Sequence, residues 1–200
     1  VNYAPSPALT AYASYNEGMR APSPLELTCA DPEAPCKLPN NFLADPPLDP
    51  VISKTIELGA RGKFNGDGRW SAALFRTDLH DDIQFISSGG AINAGYFQNI
   101  GKTRRQGMEL GLAHKIGALD LSARYSFIRA SFESAFTVHS PNNSSANADG
   151  DINIQPGNKL SGIPQQAFKL RADYNVDENF SIGANWVTVS RPIPVYCSCQ

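Results

Sequence analysis

The stretch from Tyr96 to Leu112 constrains this chain more than any other. It reads Tyr-Phe-Gln-Asn-Ile-Gly-Lys-Thr-Arg-Arg-Gln-Gly-Met-Glu-Leu-Gly-Leu. Its second half alternates with a period of two: Met108, Leu110 and Leu112 on one side, Gly107, Glu109 and Gly111 on the other. Successive side chains of a strand point to opposite faces, so this spacing predicts a strand with one apolar and one polar face. Read as one strand, the segment is far longer than the roughly 5–6 residues of an ordinary globular strand. A tilted strand that crosses a bilayer needs roughly 9–11 residues for the hydrocarbon alone.

The alternation recurs in six further segments. Over Ala8–Glu17, Leu9, Ala11, Ala13 and Tyr15 oppose Thr10, Tyr12, Ser14 and Asn16. Over Val51–Lys63, Ile52, Ile56, Leu58 and Ala60 oppose Ser53, Thr55, Glu57, Gly59, Arg61 and Lys63, with Lys54 breaking the apolar side near one end. Arg69–Leu79 is ambiguous in its facing, because Trp70, Ala72 and Leu74 compete with Ala73, Phe75 and Leu79. Leu119–Phe132, Gln165–Tyr174 and Phe180–Val189 alternate cleanly, for example Phe168, Leu170, Ala172 and Tyr174 against Lys169, Arg171 and Asp173. Between these spans lie connections that alternate long and short. Met19–Pro50, the stretch through Ser87-Ser88-Gly89-Gly90, and Glu133–Pro164 are long; Asn65-Gly66-Asp67-Gly68, His114–Ala118 and Asn175–Asn179 are short. Antiparallel strands place alternate connections at opposite ends, so all long loops fall at one end and all tight turns at the other. Outer-membrane barrels have this asymmetry. The expected fold is therefore all-β: part of an antiparallel up-and-down transmembrane β-barrel, with about seven strands of a larger one. Tyr15, Trp70, Tyr174 and Phe180 fall near the ends of the apolar faces, as interfacial aromatics do.

Composition narrows the classes. The chain has 200 residues, is 42% hydrophobic and carries a formal net charge of −2. That balance argues against nucleic acid as a partner. No apolar run approaches the ~18 residues of a membrane helix, which says nothing against a barrel, whose strands hide their apolarity in alternate positions. No basic-then-apolar leader precedes the first strand, so the expectation is a removed leader or a piece of something longer. Cys29 and Cys36 flank a turn-rich insert, Ala-Asp-Pro-Glu-Ala-Pro, and are expected to close a small disulfide loop in an oxidising compartment. Cys197 and Cys199 carry no assigned role. No nucleophile elbow, phosphate loop or dinucleotide fingerprint is present, and neither an enzymatic activity nor a cofactor is expected.

The same residues resemble a known family. Asn99-Ile100 followed by Arg105-Gln106-Gly107-Met108-Glu109 is similar to a late barrel strand of TonB-dependent outer-membrane receptors. Tyr12-Ala13-Ser14-Tyr15 with Gly18-Met19-Arg20-Ala21-Pro22 resembles the strand and loop carrying the family's Phe-Arg-Ala-Pro-like signature. Thr55–Gly59, Phe75–Asp78 with Asp82-Ile83, and Gly162-Ile163-Pro164 fall in the family's order. The resemblance runs from about Ala8 to Val189. It implies a barrel of about twenty-two strands in the bacterial cell outer membrane. It further implies a plug domain and a TonB-contacting box, neither visible here, and an extracellular small-molecule ligand such as an iron chelate. The chain is then expected to be an internal part of the barrel, with plug, box and roughly the last three strands lying outside it. Met19–Pro22 and Asp45-Pro46-Pro47-Leu48 echo the boxes that bracket a haem-ligating histidine in haem receptors, but no His lies between them.

Seven charged residues fall on the polar faces: Glu57, Arg61, Glu109, Arg124, Lys169, Arg171 and Asp173. They are expected to face the barrel lumen, where they line a substrate path or touch the plug, or simply pair across strands, each pair contributing a few tenths to ~1 kcal/mol. His80 beside Asp81 and Asp82 has no full ligand shell in the spacing. Against the transport receptor stand a small outer-membrane barrel with a binding or structural role, a membrane-barrel hydrolase, and a soluble β-sandwich. The hydrolase would need a His and a nucleophile on one strand face. The sandwich would not need strands this long.

Overall fold

A computed structural model describes residues 1–30, 36–37, 48–64, 66–87, 94–139 and 145–192. In chain order the elements are β1 (Asn2–Ser6), β2 (Leu9–Arg20), α1 (Pro24–Thr28), β3 (Cys36–Lys37), β4 (Val51–Phe64), β5 (Gly68–His80), β6 (Ile83–Ser87), β7 (Ala94–Asn99), β8 (Thr103–Ile116), β9 (Leu119–Phe132), β10 (Phe136–His139), β11 (Asp151–Ile154), β12 (Gln166–Asn175) and β13 (Ser181–Val189). Eight of the strands form one antiparallel meander, β1-β2-β4-β5-β8-β9-β12-β13. The six other expected spans are all in it, and β1 adds a strand before them. Long strands follow from the unbroken alternation: β4, β8 and β9 each run for 14 residues.

One expectation needs correction. Tyr96–Leu112 is not a single strand. It divides into β7, which pairs with β6, and β8, which pairs with β5 and β9 in the main sheet. The break has a physical cause at Ile100 and Gly101. Gly101 takes φ +79°, a conformation side chains rarely adopt. Ile100 turns inward and is buried. Asp82 clamps the corner on both sides: its N–H donates to the Gly101 carbonyl, and its carbonyl accepts from the Ile100 N–H.

The register resolves the facing of β5. Leu58 lies opposite Leu74 and Ala60 opposite Ala72, so Trp70, Ala72 and Leu74 join the apolar face. Ala73, Phe75 and Leu79 lie on the polar face, opposite Gly59, Glu57 and Ser53. The apolar face stays uncovered: Ile56, Leu58, Leu74, Leu110, Leu112, Ile182 and Trp186 are all exposed.

The long connections carry structure of their own. In the first, Ser23 caps α1 and Glu26 reaches back to the Ser23 N–H, a capping box with Pro24 in the first turn. In the second, β6 and β7 form a hairpin to which β3 adds. In the third, β10 pairs with β11. The dry core lies at this end: Ile86, Ile100, Ala130, Phe132, Val138, Ile152, Ile154 and Leu160 form one buried cluster. Each of its larger members contributes on the order of 1.5–3 kcal/mol by leaving water. Among the described residues every buried apolar side chain belongs to this end of the molecule, and none to the middle of the sheet.

Candidate functional site

The polar face of the main sheet is built by the same alternation, read on the other side of each strand. Cross-strand partners share a face, so the pairings trace rows across it. One row runs Thr10, Arg61, Ser71, Gly111, Arg124, Lys169, Val187; the next toward the short turns runs Lys63, Arg69, Ala113, Ser122, Arg171, Asn185. Toward the long loops comes Tyr12, Gly59, Ala73, Glu109, Ser126, Ala167, followed by Ser14, Glu57, Phe75, Gly107, Ile128. The seven charged residues singled out from the sequence thus lie on one face of the sheet.

Among the described residues none of them forms an ion pair across strands. Arg171 and Asp173 form an ion pair, but along one strand. Glu57 accepts a hydrogen bond from the Tyr12 hydroxyl. Arg61, Glu109, Arg124 and Lys169 have no ion-pair partner among the described residues. The reason is the spacing: Arg61 faces Thr10 and Ser71, Arg124 faces Gly111, and Glu109 faces Ala73 and Ser126. Two opposed pairs carry like charge, Lys63 with Arg69 and Arg124 with Lys169. Six cations therefore occupy two adjacent rows that contain no acid. Directly opposed like charges are destabilising in isolation, so this basin favours negative charge.

A hollow of about 390 Å³ lies over the basin, lined by Arg61, Lys63, Arg69 and Arg124 with Ser71, Gly111, Ala113 and Ser122 between them. A second, of about 340 Å³, adjoins it at Glu109, Arg124 and Lys169. The hollow touches strands from β2 to β9. Lys63 and Arg69 were absent from the sequence candidates. The alternation placed Lys63 on the polar side, but the ambiguous facing of β5 concealed Arg69.

Cys29 is buried and disulfide-bonded. Cys36 sits in β3 opposite Gly95, and its side chain, like Cys197, Cys199 and Asp45-Pro46-Pro47, lies outside the described residues. Asp82 is buried with its carboxylate accepting from the Thr103 hydroxyl at 2.7 Å and facing Arg105 at 3.6 Å. It holds the β7–β8 corner.

The family model described as TonB dependent receptor-like, β-barrel, matches residues 1–195. Solved structures share the fold. The alcaligin outer-membrane receptor FauA from Bordetella pertussis has a TM-score of 0.55 at 22% identity, over 95% of this chain and 28% of its own. The copper transporter OprC gives 0.67 at 17% identity, over 94% and 25%. The ferric-catecholate import receptor Fiu from E. coli gives 0.58 at 21% identity, over 95% and 24%. The chain thus spans about a quarter of the length of these proteins. An uncovered apolar face, a polar face lined with cations, long loops at one end and tight turns at the other, and the family match over nearly every residue lead to one statement: this chain belongs to the TonB-dependent receptor β-barrel family and is part of a barrel of the bacterial outer membrane.

Proposed function

We propose that the full-length protein is a TonB-dependent uptake receptor for a scarce nutrient such as a ferric siderophore, and that these residues form a section of its barrel wall. The plug, the TonB-contacting box and the remaining strands belong, on this reading, to the parts of the protein outside these residues. The polar face lines the lumen and the apolar face meets lipid. The observation that carries the reading is the cationic basin on the polar face, six cations in two rows above floor residues small enough to leave a hollow. A lumen of this charge favours anionic solutes, and ferric chelates built from carboxylates or catecholates are anionic. Ligand binds at the long-loop end, and TonB with its inner-membrane energisers drives release inward.

The test is uptake. A strain lacking the full-length gene is supplied with labelled ferric siderophore or with copper ion, and with the intact gene restored in parallel. Siderophore-dependent accumulation that requires both the gene and TonB supports the proposal. Accumulation of copper alone would replace the nutrient class, and TonB-independent accumulation would remove the mechanism.

A further inference from the structure

We propose that a cavity beneath the β6–β7 hairpin binds a carboxylate carried on a small apolar body. Toward the long loops the polar face continues through a row of Thr77, Arg105 and Ala130, then one of Leu79, Thr103 and Phe132. Ala130 and Phe132 share the buried loop-end cluster with Ile86 of the β6–β7 hairpin and with Val138 and Ile152 of the β10–β11 hairpin. Both hairpins therefore pack against the polar face. Between them and the sheet lies a cavity of about 120 Å³. Ile86 and Phe136 reach it from the hairpins, Arg105 and Phe132 from the polar face, and Leu160 and Ile163 from the segment before β12. Arg105 stands three rows, roughly 20 Å along the strand, from Gly111 in the cationic basin, with Glu109 between.

Three polar side chains converge among these apolar walls: Gln84, Arg105 and Ser161. The Gln84 amide and the Ser161 hydroxyl have no hydrogen-bond partner among the described residues. Arg105 has two contacts, both long: 3.5 Å to the Thr103 hydroxyl and 3.6 Å to the Asp82 carboxylate. Asp82 takes its short hydrogen bond from Thr103 instead, at 2.7 Å. Across the sheet Arg105 faces Thr77 and Ala130, neither of them an acid. A guanidinium carries more N–H donors than these contacts use. They orient Arg105 and leave its fork open to a carboxylate, the anion it holds with two parallel bonds. The volume limits the rest of the ligand. Pockets for whole small-molecule ligands begin at roughly 300 Å³, so this one takes a single small group and not a metal chelate. That group is a free acid or the end of one arm of a larger ligand. Bound there, it bridges Gln84 of the hairpin to Arg105 of the wall, so occupancy steadies the second loop.

The full-length receptor in neutral detergent is titrated with benzoate and with benzamide, its uncharged counterpart, by saturation-transfer nuclear magnetic resonance. Benzoate should bind at least about tenfold tighter, as a charge-assisted pair warrants, and should slow amide exchange in Ile83–Ser87. Arg105→Gln should remove the preference for benzoate. Ser161→Phe, which fills the cavity and leaves Asp82 and Arg105 in place, should remove binding. The basin pair Arg61→Gln, Arg124→Gln should change neither. Resistance to unfolding in dodecyl sulfate before heating confirms that each variant is folded; should Arg105→Gln fail that check, Ser161→Phe carries the test. Equal binding of the two probes, or benzoate binding that survives Ser161→Phe, overturns the site. Loss in the basin pair alone moves the anion to the basin and overturns it too. Benzoate tethered through its para carbon to polyethylene glycol separates the two sources. Binding equal to that of the free acid assigns the cavity to an arm of a larger ligand, and exclusion assigns it to a free acid. No readout here is uptake, so failure leaves the proposed function standing, and a failed uptake test leaves the cavity standing.

Discussion

Glu26 shows how much one side chain does in the first long loop. It caps α1, accepts from Arg20 at 2.7 Å and from the Ser23 N–H at 2.7 Å, and so ties the helix to the end of β2. Partial burial pushes its pKa up, but the hydrogen bonds from Arg20 and Ser23 outweigh that and hold it below the ordinary value of 4.5. A depressed carboxylate pKa stabilises the folded form above the unfolded value and stops doing so as pH falls through the folded one. Amide protection of α1 should therefore be flat at neutral pH and decline on acidification below about 4.5. Glu26→Gln should abolish that decline; a decline surviving in the variant would assign it to another group. Cys29 offers a second expectation in the same loop. Peptide mapping without reduction should link it to Cys36, and replacing both by Ser should cost the loop about 2–3 kcal/mol. A link from Cys29 to Cys197 or Cys199 would refute the small loop.

At the level of the strand, the register converts a pattern into a geometry. The last residue of the unbroken outward apolar run, before Glu17 and Lys54 separate it from Met19 and Ile52, is Tyr15 on β2 and Ile56 on β4, which are partners, but Leu74 on β5, one row lower. It is Phe127 on β9, Phe168 on β12 and Trp186 on β13, each of the last two one row lower again. Three rows over six strand spacings corresponds to a tilt of roughly 35°, taking about 3.4 Å per residue and about 4.8 Å between strands. Barrel strands tilt by about 35–45°, so a flat boundary in the bilayer accounts for a boundary that slants across the sheet. Leu110 lies mid-band on β8. In the full-length barrel Leu110→Arg should cost on the order of 2–4 kcal/mol, and Ser122→Arg on the opposite face much less. Urea titration in lipid vesicles measures both; equal losses would show the two faces to be alike. Gly59 makes a separate point. The Tyr12 ring lies across it where a Cβ would stand. Gly59→Ala should displace that ring and break the hydrogen bond to Glu57, visible as a change in tyrosine ultraviolet absorption. Period-two spacing made these strands and faces legible because pleat geometry is local. The split of Tyr96–Leu112 was not legible, since the alternation of β8 continues into a segment that satisfies its hydrogen bonds elsewhere. Nor were the hairpins inside the long connections, whose apolar residues, such as Val138 and Ile152, bury against one another across 14 positions of sequence.

At the level of the whole molecule, what is missing from the interior matters most. An ordinary domain of this length gathers its apolar residues into one core between layers. Here the buried cluster belongs to the long-loop end, and the sheet has an uncovered apolar face and a wet cationic one. The charge basin was hidden from the sequence for the same reason: Arg61, Lys63, Arg69, Arg124, Lys169 and Arg171 are scattered over more than a hundred positions and meet only when the meander is in register. The sheet also ends in two strands paired on one side only, β1 and β13, among the described residues. All nine residues of β13 are exposed. An exposed edge is a template for further pairing, and in hydrocarbon its free N–H and C=O groups each cost several kcal/mol. These 200 residues, purified alone, should therefore require detergent and should associate or stay partly unfolded in plain buffer. The loop-end cluster is too small to order the sheet by itself, because each β-residue fixed costs about 1–2 kcal/mol of backbone entropy. Sedimentation and circular dichroism in plain buffer test this together. Broad or concentration-dependent sedimentation with no cooperative melt is the expected result, sharpened by added detergent. A monodisperse monomer with a single cooperative melt would mean that the apolar face finds cover within the chain, and the division into a lipid face and a lumen face would have to be abandoned.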